Sequence, residues 1–361
     1  MKRFLFILCG LLAFCAEISA QTDDRPRTII TTDGEVDDAD SFIRVLLYAN
    51  DLNIEGIIYS SSQHHWAGDG KGSFLKPLNR SQMSGPDRQP KAEISHRWIG
   101  TTWVQDIIAD YAKCYANLLL HDKRYPSPEY LNSIVKIGNI EVEGDMAKPT
   151  EGSEHIKDII LDSKPGKVHL EAWGGTNTIA RALLSIEEQF RDTPQWGAIY
   201  KKVCDKVVLN IIQDQDGTYK TYVAKKWPDI MVIYNRLQFF CFAYLWNNTV
   251  PEPHKAYLSG EWFLKHVKEN HGALGAHYYG LGEGYDLNDP DDHFGEPEAP
   301  SRSNGQLHDF ISEGDSPSYF VLFDFGLRNI SHPDWGGLGG RYIQRKDTPN
   351  VYEDPQVPNA F

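Results

Sequence analysis

Short apolar runs alternate with longer segments of helical spacing through most of the chain. Thr28-Ile29-Ile30 reads as a strand, and Ser41-Phe42-Ile43-Arg44-Val45-Leu46-Leu47-Tyr48 reads as a helix. Asn53 to Ser61 carries Ile54, Ile57, Ile58 and Tyr59 and predicts a second, buried strand. Trp103 to Leu120 sets Val104, Ile107, Ile108, Tyr111, Tyr115, Leu118 and Leu119 at helical intervals. Glu151 to Leu161 predicts another helix, Lys167 to Ala172 a third strand, Thr176 to Leu184 a helix and Lys206 to Ile212 a fourth strand. Asp229 to Trp246 mixes apolar and aromatic residues and is expected to be buried; Ser318 to Leu327 is apolar again. This alternation predicts an α/β fold with an open, mostly parallel sheet flanked by helices.

Two stretches break the rhythm. Ser62 to about Arg97 is polar and rich in Gly, Pro and Ser, and His271 to about Gly305 is rich in Gly, Asp, Pro and Tyr. Connections of such length inside a compact domain are often functional. The tail holds Trp335-Gly336-Gly337-Leu338-Gly339-Gly340 and then several prolines, so 343–361 reads as irregular. No internal repeat is visible. One domain over 21–342 accounts for the rest.

Residues 1–20 have the pattern of a cleaved signal peptide. Lys2 and Arg3 precede an apolar stretch from Phe4 to Ala16, and Ile18-Ser19-Ala20 ends on a small residue. Cys9 and Cys15 lack the small-residue setting of a lipoprotein site. The expectation is a periplasmic or secreted protein without a membrane anchor. Without Lys2, Arg3 and Glu17 the charge is −15, since 34 basic residues then face 49 acidic ones. No basic run offsets it, which argues against a nucleic-acid partner and for a cation or a neutral substrate. Cys114, Cys204 and Cys241 match no zinc spacing; one disulfide among them is left open. Nine Trp and eighteen Tyr suit a carbohydrate cleft as well as an ordinary core.

The chemistry concentrates in Thr31-Thr32-Asp33-Gly34-Glu35-Val36-Asp37-Asp38-Ala39-Asp40, between the first strand and the first helix. Asp33 falls at the carboxyl end of the strand, with Asp37 and Asp38 in the first helical turn. In an open α/β sheet that edge is where ligands bind. Helix capping explains one or two of these acids. It does not explain Asp33 on the strand side of a Gly34 turn. A hard cation with oxygen ligands, Ca²⁺ above all, would relieve their repulsion. The spacing is not an EF-hand: counted from Asp33, the sixth residue is Asp38 rather than Gly and the twelfth is Arg44 rather than Glu. Other segments end at the same edge: Ser61-Ser62-Gln63-His64-His65, Ala172-Trp173-Gly174-Gly175-Thr176-Asn177, and Glu313-Gly314-Asp315-Ser316-Pro317.

Together these segments resemble the nucleoside hydrolase superfamily, and most closely its exported, cellulose-binding, nucleoside-hydrolase-like branch. The resemblance covers roughly residues 25 to 342. Nucleoside hydrolases open with Asp-x-Asp-x-x-x-Asp-Asp, which here becomes Thr31-x-Asp33-x-x-x-Asp37-Asp38. The resemblance implies Asp33 as metal-bound general base, Asp37 as the holder of a sugar hydroxyl, and Asp38 and Asp315 as metal ligands. It implies the Trp173 carbonyl in the calcium shell, Gln63 on the sugar's 3′ side, and Asn177, in a turn that resembles the family's Gly-(Gly/Pro)-x-Thr-Asn with one residue fewer, as a substrate contact. Asp214, in Ile212-Gln213-Asp214-Gln215-Asp216-Gly217, could bind substrate hydroxyls or serve as plain turn chemistry.

Two departures matter. Thr31 replaces the first aspartate, and Gly314 stands where many nucleoside hydrolases carry a leaving-group His. His271, His277 and Glu313 are candidate substitutes, though ordinary solvation accounts for each more simply. The pair His64-His65 lacks a spaced third ligand for zinc. The function implied is a Ca²⁺-dependent glycosidic-bond hydrolase acting on a small glycoside. The alternative is a carbohydrate-binding protein that keeps the metal site without turnover. A homo-oligomer is left open.

Overall fold

The computed structural model describes residues 23–76, 92–243, 250–279, 312–324 and 329–355. The signal segment 1–20 and most of the loop between His271 and Gly305 lie outside the described residues. Arg27–Thr32 forms β1 and Val36–Leu47 forms α1; Asn53–Tyr59 is β2. Trp103–His121 is α2, Pro128–Ser133 is α3 and Val135–Ile137 is β3. Glu151–Leu161 is α4, Val168–Ala172 is β4, Asn177–Phe190 is α5 and Trp196–Lys206 is α6. Val207–Ile212 is β5 and Met231–Asn235 is β6, while Ile343–Gln344 and Val351–Glu353 are β7 and β8.

The strands form one eight-stranded sheet in the order β3-β2-β1-β4-β5-β6-β8-β7, parallel except for the β7–β8 pair. β1, β4 and β5 are buried along their whole length, as expected of central parallel strands covered on both faces. Strand alternation sends Ile30, Ile57, Val208 and Ile212 to a core packed by Phe42, Val104, Ile107 and Ile108 of α1 and α2. It sends Ile29, Ile58, Leu170 and Leu209 to a second core under Ile156, Ile160, Leu183 and Val203 of α4, α5 and α6. Strand order runs 3-2-1 one way from β1 and 4-5-6 the other way from β4. The switch point therefore falls between β1 and β4, where their carboxyl ends open a crevice. No helix among the described residues is long and apolar enough to cross a membrane.

The expected strands and helices up to β5 are present within a few residues of their expected limits. The tail differs. Residues 343–361 were expected to be irregular, yet Val351–Glu353 pairs in parallel with β6 and carries β7 as an antiparallel edge. The segment is too short to show a periodicity of its own, and its pairing is fixed from a distance. One carboxylate secures it. Oδ2 of Asp354 accepts the backbone N–H groups of Arg236, Leu237 and Gln238 at 2.9, 2.6 and 2.8 Å, closing the turn after β6. Removing it strands buried donors, so Asp354→Ala is expected to lower unfolding stability by about 1–3 kcal/mol in urea denaturation. Unchanged stability would show that the tail is not held this way.

Candidate functional site

The site begins with the strand-to-helix junction. β1 stops at Thr32, and α1 begins after Glu35. Asp38 governs the turn between them. Its Oδ1 accepts a short hydrogen bond from the Thr32 hydroxyl and another from Asp33 N at 3.3 Å, and its Oδ2 accepts Glu35 N at 3.1 Å. A carboxylate in the first turn satisfies helix N–H groups and suits the dipole. Asp38 thus does the work of a cap, and it does more, because it is not alone.

Carboxylate oxygens of Asp37, Asp38 and Asp315 come within 4.8 Å of one another, all buried. Asp33 lies beside this trio, and its neighbour Gly174 shows how closely. A methyl group on Gly174 would collide with the Asp33 carboxylate, so the turn after β4 needs a glycine there. Both carboxylate oxygens of Asp33, both of Asp315, and Oδ1 of Asp37 are buried without a hydrogen bond of ordinary geometry. Desolvation raises the proton affinity of Asp33 and Asp37 well above the carboxylate norm, with Asp38 and Glu35 adding repulsion at Asp33 and Glu35 and Asp33 at Asp37. Asp315 is raised well above it by burial and then by Asp38, Asp37 and Asp33. Asp38 is pushed up to about 7 by burial and by Asp37.

Asp315 reaches the crevice from far along the chain, and an ion pair aims its turn. Arg44 of α1 grips buried Glu313, with Nη2 to Oε1 at 2.7 Å. The Tyr278 hydroxyl donates to the same carboxylate at 2.5 Å, and the Ser316 hydroxyl at 3.0 Å. The Tyr319 hydroxyl completes the clamp by donating to Ser41 O at 3.0 Å. Gly314 between Glu313 and Asp315 has no spare room: any side chain would strike Asp37 and Phe239.

The other expected residues divide. Gln63 sits by the crevice, its backbone N–H bonded to Gln215 O at 3.0 Å, with its side-chain amide nitrogen buried and unpartnered. Trp173 is buried; its indole N–H donates to the Ser318 hydroxyl at 2.9 Å, and its carbonyl accepts the Gln215 amide at 2.6 Å. One lone pair of that carbonyl is therefore taken.

Asn177, expected at the substrate, has its polar atoms bonded within the protein. Its Nδ2 donates to Ser61 Oγ, Asn139 O and Asp145 O at 2.9, 2.9 and 3.1 Å, and its Oδ1 accepts Ser60 Oγ at 2.8 Å. With every polar atom used inside the protein, it locks loops together. Asp214 is likewise spent: its oxygens accept the N–H groups of Tyr219 and Lys220 at 3.3 and 3.1 Å. Its neighbour Asp216 accepts Asn177 N at 2.9 Å. Of the expected ligands, Asp33 stands outside the closest carboxylate trio, and Asp37, expected only to hold a hydroxyl, stands in it. Adjacent positions on the first turn of α1 bring Asp37 and Asp38 in together.

The substitutes for the leaving-group acid are engaged elsewhere. Nδ1 of exposed His271 lies 2.5 Å from Glu269 O, and Nδ1 of His277 lies 2.6 Å from Asp110 Oδ2. Glu313 is held in the clamp. His65 is buried and kept neutral, chiefly by desolvation. Thr31, in place of the first aspartate, bonds to Glu171 O at 3.2 Å and so ties β1 to β4. Cys114, Cys204 and Cys241 form no disulfide with one another. Sequence reasoning missed Gln215, which links Gln63 to Trp173, and the positioning role of Glu313 with Arg44. Only a partner known to face Glu313 could have revealed the latter.

A family model described as cellulose-binding Sde182, nucleoside hydrolase-like domain, matches residues 27–342. The chain belongs to that family. Among solved structures, it resembles a nucleoside hydrolase-related hypothetical protein from Saccharophagus degradans, described as associated with carbohydrate metabolism. The two share 24% identity at a TM-score of 0.61, over 92% of this chain and 67% of that one. A plant nucleoside hydrolase aligns at 12% identity and a TM-score of 0.38, over 93% of this chain and 89% of the other. No curated protein matches. The nucleoside-hydrolase-like fold of this family carries the crevice at the switch point and its buried acidic cluster.

The carboxylates are tested by their own repulsion. A buried acid with raised proton affinity adds stability at low pH and loses it as pH rises through its folded value. Metal-free protein is therefore expected to lose thermal stability from about pH 4 upward through about pH 7. Excess Ca²⁺ should restore the loss at the upper end. A melting temperature flat across this range, with and without Ca²⁺, would contradict the electrostatics described.

Proposed function

We propose that the protein is an exported, Ca²⁺-dependent glycosidic-bond hydrolase of the nucleoside-hydrolase type. One observation carries the reading: carboxylate oxygens of Asp37, Asp38 and Asp315 lie buried within 4.8 Å of one another at the switch point of the sheet, and both oxygens of Asp33 and Asp315 and Oδ1 of Asp37 lack a hydrogen bond of ordinary geometry. Such oxygens need a cation or protons, and an all-oxygen set suits Ca²⁺. Asp37, Asp38 and Asp315 would hold the ion, with Asp33 and the remaining lone pair of the Trp173 carbonyl beside them. When bound, the ion supplies positive charge that acidifies water and binds sugar hydroxyls.

The chain's own residues do the rest. Asp33, whose buried carboxylate has its proton affinity raised chiefly by desolvation, would take the proton of the attacking water as general base. The remaining negative field would favour positive charge developing on the sugar as the bond to the leaving group breaks. Gln63 would donate to a sugar oxygen. Phe239, buried beside Gly314, would help to keep solvent from the site. No acid for the leaving group stands at Gly314, so substrates with good leaving groups are favoured.

That same absence supports a second reading, a carbohydrate-binding protein that kept the metal site. The family's description as cellulose-binding agrees with it. The two readings share a ligand class and differ in turnover.

Calorimetry on EDTA-stripped protein tests the metal. Asp37→Ala, Asp38→Ala and Asp315→Ala are each expected to weaken Ca²⁺ binding, whereas Asp40→Ala retains it. Asp40 is turned away toward the 279 loop, its Oδ1 accepting Tyr279 N at 2.8 Å. Equal loss in all four variants would show the ligand assignment to be wrong.

Turnover is tested with nitrophenyl ribosides of graded leaving-group pKa. Asp33→Asn is expected to reduce the rate by about 10²–10⁴-fold, and His271→Ala to leave it unchanged. Rates should climb steeply as the leaving group improves. Sugar binding without hydrolysis of any riboside would assign the protein to the second reading.

A further inference from the structure

The acidic half of the crevice is matched by a set of amide donors, of which the proposed reaction uses only Gln63. Gln213 directly follows β5, and its backbone has φ +56°. Residues other than glycine seldom adopt that region, and where they do the strain is usually tied to function. Gln213 is held there by its N–H, which donates to Asn235 O at 3.0 Å. Its side chain is 5% exposed, and its Nε2 has no acceptor. Asn235, the last residue of β6, is fully buried; Tyr342 donates to its Oδ1 at 2.7 Å, while its Nδ2 has no acceptor. The Nε2 of Gln63, after β2, completes the set.

All three amides stand at the carboxyl edge of the sheet, the edge that carries Asp33 and Trp173. Hydrogen bonds tie this edge together: Gln213 N–H donates to Asn235 O, Gln63 N–H donates to Gln215 O, the Gln215 side-chain amide donates to Trp173 O, and the next residue, Gly174, abuts Asp33. Burying an amide donor without an acceptor is unfavourable, and such groups are rare in native proteins. Asp214, the neighbour expected to read substrate hydroxyls, has both oxygens committed to backbone N–H groups.

We propose that Gln213 is a specificity-determining residue, its amide N–H donating to a hydroxyl or ether oxygen of a neutral sugar held across the crevice, with Asn235 as its neighbour. The proposal rests on the reading of the crevice as a carbohydrate site. The donor set selects the ligand class. Amides supply N–H to oxygens, the carboxylates accept O–H, and a polyhydroxylated ring offers both. An anion would meet the buried acids and be repelled.

The strain at Gln213 gives the test its discrimination. Glycine accepts φ +56° without steric strain, which offsets its greater entropy loss on folding, so Gln213→Gly should keep the melting temperature close to that of wild type. Asparagine also tolerates this conformation but carries a shorter amide. The full mature chain, loaded with Ca²⁺, is titrated calorimetrically with ribose and with cellobiose, for wild type and both variants. The expected result is sugar affinity about tenfold weaker in Gln213→Gly and Gln213→Asn. Ca²⁺ affinity should be unchanged and the melting temperature close to that of wild type. Wild-type sugar affinity in both variants would overturn the role of Gln213 and leave the carbohydrate reading intact. A drop in melting temperature with a parallel loss of Ca²⁺ binding would assign Gln213 a purely structural role. Wild-type protein that binds neither sugar would overturn both the carbohydrate reading and this proposal.

Discussion

Like-charged carboxylates share a dry crevice only with a cation or protons among them, and much of the surrounding chain is shaped by that repulsion. Asp38 is steadied by the Thr32 hydroxyl and by two backbone N–H groups. Asp315 receives no such support and is delivered instead by the Arg44–Glu313 clamp behind it. Gly174 and Gly314 yield their side-chain volume so that Asp33 and Asp37 fit. The glycines are therefore a steric consequence of where the acids lie.

Around this cluster the polar residues fall into two kinds. Asn177, Asp214 and Asp216 have their hydrogen-bonding capacity committed to the protein and fix the turns after β2, β4 and β5 against one another. Asp33, Gln63 and Gln213 keep buried polar atoms without partners. The first kind buys rigidity, and the second is what remains for a ligand. A residue's type does not reveal its kind. Asn177 and Gln63 are both amides at strand ends, and only the accounting of donors and acceptors separates them.

That accounting explains what the sequence could and could not show. The alternation of apolar runs fixed β1, β2, β4 and β5 and their helices because each is buried along a continuous stretch. The acidic run identified the strand end that bears the site, since charge density at a known turn is a local property. β3 and β8 were missed because three-residue strands have no period to read and take their place from distant partners. The roles of Asn177 and Asp214 depended on neighbours supplied by loops 30 or more residues away in the first case and on a turn conformation after β5 in the second. Family resemblance could name these positions without seeing how their hydrogen bonds were spent.

The last strand has a bearing on how the molecule is made. Gln238 and Asp354, which join through a backbone N–H and a carboxylate, are 116 residues apart in sequence. Contacts of that separation are slow to form, because a long loop must close before anything is gained. During synthesis, β1 through β6 emerge and can pair while β6 is still an open edge. The turn that carries Asn235 toward Gln238 then waits for Asp354 before its N–H groups are satisfied. One wall of the crevice thus depends on a residue that leaves the ribosome later than Asp33, Asp37, Asp38 and Asp315 do.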